Sequence, residues 1–111
     1  MDWTHVMAEL DAHLSDEKIG RDVETFFEEV GRRLELDDGE VSFPPETLVH
    51  VEERMLVRNP EVRGGGYLLV KAVLKPLFED GKYTGRSRLG TLKIMYDFEG
   101  RWLDEFYSRP S

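Results

Sequence analysis

The sequence predicts an α+β fold in which N-terminal helices pack on a curved antiparallel β-sheet meander. Three observations carry that expectation. Apolar residues in the first third recur at helical spacing, residues from Thr47 onward alternate at the two-residue period of strands, and glycine-bearing turns separate the strand segments. At 111 residues the chain makes one domain, large enough to bury roughly two-thirds of its unfolded surface.

Trp3, Val6, Met7, Leu10 and Leu14 recur every three or four residues and predict a short helix over about 3–14, capped near Asp2 or Thr4. A second helix over about 16–36 starts at Ser15 or Asp16, with Asp16 and Glu17 favourably placed against its dipole. Its apolar arc is Ile19, Val23, Phe26, Phe27, Val30 and Leu34. Gly20 and Gly31 fall on one flank of that arc, and each costs about 1 kcal/mol of helix propensity against alanine. They fit either close approach of another backbone or ordinary glycines near helix ends.

Leu36-Asp37-Asp38-Gly39 ends the helix, a short edge strand follows over about 40–43, and Pro44-Pro45 closes it. The next strand, about 47–58, sets Val49, Val51, Glu53, Met55 and Val57 on one face and His50, Glu52, Arg54, Leu56 and Arg58 on the other. The central strand, about 66–79, turns at Asp80-Gly81, a strong hairpin signal, into a returning strand over about 82–98. Leu68, Val70, Ala72, Leu74 and Phe78 form its core face, matched by Leu92, Ile94, Tyr96 and Phe98. A two-residue turn would put these sets out of phase, so a β-bulge is expected between Gly85 and Gly90. Past it, Val70 would pair with Leu92 and Leu68 with Ile94. The last strand is about 101–107, with Trp102 and Phe106 on one side and Leu103 and Tyr107 on the other. The order of helix and then four strands resembles that of cystatin-like and nuclear-transport-factor-like rolls. This likeness covers the order of elements and no motif, and it implies no activity.

Composition excludes several classes of function. With no cysteine, a disulfide framework, a thiolate zinc site and a cysteine nucleophile are ruled out. No apolar run reaches the 18 or so residues of a membrane span and the N-terminus lacks a signal-peptide pattern, which points to a soluble cytoplasmic protein. A net charge of -8 argues against nucleic acid as a partner, because phosphate binding needs a positive footprint. The charge is asymmetric: residues 1–53 carry 16 acidic and 4 basic side chains, and residues 54–111 carry 7 and 11. An acidic helical half thus sits on a weakly basic sheet half.

No motif reaches catalytic specificity, and no cofactor is implied. Gly64-Gly65-Gly66 lacks the lysine and the following helix of a phosphate-binding loop. His5, His13 and His50 are scattered, and no serine sits in a nucleophile elbow. Glu53 shares parity with four apolar neighbours, so it reads either as a desolvated carboxylate suited to acid–base work or as a rim residue meeting solvent or an arginine.

The strongest constellation is basic. If Arg58 lies near Tyr67, then Arg54 lies near Lys71 and His50 near Lys75, while Lys75 pairs with Arg86 and Val73 with Arg88. Arg54, Arg58, Lys71, Lys75, Arg86 and Arg88 would then share one face with Leu56, Tyr67, Leu69 and Val73, joined by Leu77, Met95, Trp102 and Phe106. Like charges opposite one another destabilise a sheet, so something acidic should offset them. Two functions from different classes follow. One is a noncatalytic interaction module whose basic and aromatic face binds an acidic protein or a second copy, with a homodimer through the sheet as the favoured form. The other is a small-molecule-binding roll, with enzymatic activity left open, enclosing Glu53 and Tyr96 in a pocket between helix and sheet.

Overall fold

The computed structural model describes residues 3–44, 47–62, 64–75 and 89–110. Two helices, α1 (Trp3–His13) and α2 (Asp16–Glu29), precede a small hairpin of β1 (Arg33–Leu36) and β2 (Gly39–Ser42). An open four-stranded antiparallel sheet follows, built in chain order from β3 (Leu48–Arg58), β4 (Gly66–Lys75), β5 (Gly90–Tyr96) and β6 (Trp102–Ser108). The architecture is α+β, as the sequence predicts, and the sheet does not close into a barrel. Among the described residues no helix is long and apolar enough to cross a membrane.

The helices meet at a tight corner. Ser15 Oγ accepts the Lys18 backbone N–H at 3.1 Å and so caps α2. Ile19, Val23, Phe26 and Phe27 form the buried stripe of α2, and Leu10 and Leu14 of α1 join the same core. That core also holds Phe43, Leu68, Val70, Leu74, Leu92, Ile94 and Tyr96, all buried. Each large side chain so removed from water contributes about 1.5–3 kcal/mol. Both helices therefore cover the same side of the sheet.

Helix α2 is shorter than its apolar spacing predicts, for a local reason. Gly31 and Arg32 take left-handed backbone angles, φ 69° and 58°, and the Arg32 N–H donates to Phe27 O at 2.7 Å. A non-glycine residue in that conformation needs outside support. Arg32 has it: Nε donates to Phe43 O at 2.7 Å, Nη2 to Pro44 O at 2.6 Å, and Nη1 bonds Glu24 and Glu28. Residues expected to continue the helix become β1. Gly31 is thus a terminator, and a Cβ on Gly20 would meet nothing within 4 Å, so neither glycine serves close backbone approach.

In the central hairpin the expected phase holds and the expected register does not. Leu68 pairs with Tyr96 and Val70 with Ile94, two residues beyond the predicted partners, so the same apolar sets still face the helices. The Asp80-Gly81 turn and the bulge expected between Gly85 and Gly90 fall within 76–88, outside the described residues.

Candidate functional site

Two inserted residues decide what each sheet face carries. In β3 the pairing with β4 shifts between Val51 and Glu53, leaving Glu52 as the extra residue of a bulge. Val49 and Val51 face the helices before it, Arg54 and Leu56 after it. In β6 the pairing with β5 shifts so that Met95 opposes Asp104 while Tyr96 opposes Trp102, leaving Leu103 as the extra residue. Trp102 and Tyr107 then face the helices, and Asp104 and Phe106 face away.

The side away from the helices is the candidate interaction surface. Its rows run His50–Val73–Thr91–Ser108, Glu53–Lys71–Lys93–Phe106 and Met55–Leu69–Met95–Asp104 across the four strands. Val57 and Tyr67 extend it at one end, Leu48 and Lys75 at the other. Met55 is 46% exposed, Phe106 51% and Leu48 39%, while Val73 is buried among its neighbours. Lys71 and Lys93 stand directly opposite each other, an unfavourable pairing. Lys71 is relieved by Glu52 at 3.3 Å, whereas Lys93 has no ion-pair partner among the described residues. A dimple of about 110 Å³, lined by Glu53, Met55, Leu69, Lys71 and Lys93, lies at the middle of this face.

The predicted basic cluster is thereby divided. Lys71, Lys75 and Tyr67 lie on the outer face as expected, but Arg54 does not: it opposes Val70 on the helix side. Its guanidinium bonds Leu14 O and the carboxylates of Asp11 and Asp16, tying the sheet to the corner between the helices. Arg58 opposes Gly66 and shares the alternation of Arg54, not that of Lys71. His50 pairs with Val73 rather than lying near Lys75, and Val73 opposes Thr91 rather than Arg88. Trp102 stacks on Phe26 on the helix side instead of joining the outer face. Arg86, Arg88 and Leu77 lie outside the described residues. Arg54 and Trp102 change face because one inserted residue, Glu52 in β3 and Leu103 in β6, reverses the phase of a strand, whereas the new partners of His50 and Val73 reflect the register of the strand pairs.

The pocket expected to enclose Glu53 and Tyr96 together is likewise corrected, because the same bulge turns Glu53 outward while Tyr96 is buried beneath the helices. Tyr96 Oη donates to Asp22 Oδ2 at 3.0 Å. Burial, and next the Asp22 charge, push the phenol well above its ordinary value, so it remains a proton donor. Asp22 also receives Lys18 Nζ at 2.9 Å. Sequence reasoning missed this Lys18–Asp22–Tyr96 cluster. The i,i+4 spacing of Lys18 and Asp22 was a visible signal, but its link to Tyr96 depends on how the helix lies on the sheet. Compared with protein-family models, with curated proteins and with solved structures, the chain matches none.

Proposed function

We propose that the protein is a noncatalytic assembly module that forms a homodimer through the outer face of its four-stranded sheet. The observation that supports this reading is the apolar character of a face that neither helix covers: Leu48, Met55, Leu69, Met95 and Phe106 line it, and three of them are over a third exposed. Contiguous apolar surface of this kind marks contact sites. At a strand spacing of about 4.8 Å and a rise of about 3.3 Å per residue, four strands present roughly 20 by 25–30 Å. With side-chain relief this approaches the roughly 800 Å² per partner of a standard interface.

Charge favours a second copy over an acidic partner. With Arg54 turned inward, the described outer face carries Lys71, Lys75 and Lys93 against Glu52, Glu53 and Asp104. A self-complementary interface needs both signs on one surface, and this one has them. Sedimentation equilibrium tests the proposal: the expected mass is twice 12.9 kDa. M55E/F106E should give a folded monomer, with association weakened at least about 100-fold, since these half-exposed positions carry little of the core. Raising the salt should leave the wild-type dimer intact, whereas a contact dominated by charge would weaken. A monomeric wild type at about 100 µM, or an undiminished dimer in the variant, refutes the reading.

A further inference from the structure

On the opposite side, a half-open groove runs between α2 and the start of β6. It measures about 570 Å³, within the size range of ligand sites. Trp102 is stacked on Phe26 at 5.4 Å and meets Tyr96 edge-on at 5.9 Å, so the indole is held by packing on two sides. Its Nε1–H donates to Glu105 Oε2 at 2.9 Å, fixing that carboxylate beside the ring. Lys18 and Tyr96 account for Asp22 on the other wall.

Glu29, in contrast, has no ion-pair partner among the described residues. It ends α2, where aligned peptide dipoles place partial negative charge and a cation is normally favoured. The last turn of α2 contains no basic residue, and Arg32 serves Glu24 and Glu28. Two carboxylates and a helix C-terminus therefore direct negative potential at a groove floored by aromatic rings. A neighbouring hollow of about 430 Å³ shares Lys18 and Gly100 with the groove and adds Glu9, which meets His5, and Glu99, which pairs with Arg101, so the negative charge stays centred on Glu29 and Glu105. Two adjacent hollows with shared walls suit an extended chain better than one small amine.

We propose that this groove binds a basic peptide segment of a partner protein, an arginine or lysine side chain lying along Trp102 with its charged head between Glu29 and Glu105. The aliphatic stem would cover the indole while the head takes charge-assisted hydrogen bonds. The site is independent of the outer face and is present in monomer and dimer alike.

The test is titration of the ¹⁵N-labelled full chain, following the indole N–H signal of Trp102, with the peptide acetyl-Arg-Gly-Arg-Gly-Arg-amide. A saturable shift is expected, with none from the peptide carrying glutamine for arginine, and N-acetylarginine amide should bind at least about tenfold more weakly. E29Q/E105Q should raise Kd at least about tenfold with the fold intact, because glutamine can still accept the Trp102 bond. E35Q/E40Q, placed on the separate β1–β2 hairpin, should change Kd less than about twofold. Absence of a saturable shift, an equal response to the glutamine peptide or to the single amino acid, or equal weakening by the two double variants would overturn the proposal.

Discussion

Replacing Arg54 with methionine separates the structural role of this residue from the binding role its position in the sequence suggests. Methionine keeps most of the apolar stem and removes the guanidinium. Three contacts are lost: Leu14 O, Asp11 and Asp16. Leu14 is fully buried, so its carbonyl loses a donor in a place water does not reach, at a cost of about 1–3 kcal/mol. The two carboxylates are 55% and 72% exposed, so each ion pair adds only about 0.2–1 kcal/mol. The sum is roughly 1.4–5 kcal/mol, which at about 4 °C per kcal/mol for a chain of this size lowers Tm by roughly 6–20 °C. Thermal unfolding followed by circular dichroism measures it. In about 1 M NaCl the ion-pair share is screened, and the gap between wild type and variant should narrow to the carbonyl share. Sedimentation of the folded variant should match the wild type. A Tm changed by less than about 2 °C together with lost association would return Arg54 to the outer face and refute the bulge at Glu52.

Gly90→Ala should destabilise by roughly 3 kcal/mol or more: Gly90 has φ 128°, and a Cβ there would lie 2.5 Å from the Tyr107 hydroxyl and 2.6 Å from Ser108 O. Urea titration should show a lower midpoint with an unchanged slope, and a shift below about 0.5 kcal/mol would contradict the close approach of Tyr107 and Ser108 of β6 to Gly90. At the β5–β6 turn, burial alone would push the Asp97 carboxyl up, but the backbone N–H groups of Arg101 and Glu99 and the Arg101 guanidinium outweigh it and hold the group below its ordinary range. A carboxylate with a lowered folded pKa stabilises above its unfolded pKa of about 4, and that contribution is lost as pH falls through the folded value. Asp97→Asn should therefore be less stable than wild type at pH 7 and nearly as stable at about pH 2, and a gap that persists undiminished in acid would exclude this role.

Much of the fold was legible because periodicity reports burial directly. The helical arc of Ile19, Val23, Phe26 and Phe27, the N-cap at Ser15 and the inward set of Leu68, Val70, Ala72 and Leu74 all follow from local chemistry. Register was not legible, since parity fixes which face a strand buries and leaves the partner free to move by two. The end of α2 was obscured because Leu34 continues the helical spacing, while the Arg32 contacts that stop the helix come from Phe43 and Pro44, more than ten residues away. The division of the basic face and the inward turn of Trp102 each come from one inserted residue. Glu52 and Leu103 are inserted without glycine or proline, so neither bulge announces itself by composition.

One trace of the first bulge was nevertheless present. A glutamate falling at the core parity of Val49 and Val51 is expensive to bury, and Leu56 rather than Met55 restores the inward pattern. The mismatch at Glu53 is explained by a slipped phase, which removes the need for a desolvated carboxylate in the core. The slip also changes what the outer face can bind. Had the alternation continued unbroken, Arg54 would stand beside the lysines, the surface would be strongly basic and an acidic partner would be required. With the extra residue in place, Arg54 serves the acidic helix corner, Glu52 reaches Lys71, and Glu53 and Met55 move onto the exposed side. Deleting Glu52 should therefore remove the bulge without moving any side chain to the other face: Val51, Glu53 and Arg54 would oppose Ala72, Lys71 and Val70 in regular alternation, keeping the Arg54 contacts and losing only the Glu52–Lys71 ion pair. Thermal unfolding and sedimentation should show folding and self-association both retained in that deletion, whereas M55E/F106E should lose association alone; a deletion variant as unstable as Arg54→Met would contradict the placing of Glu52 as the extra residue.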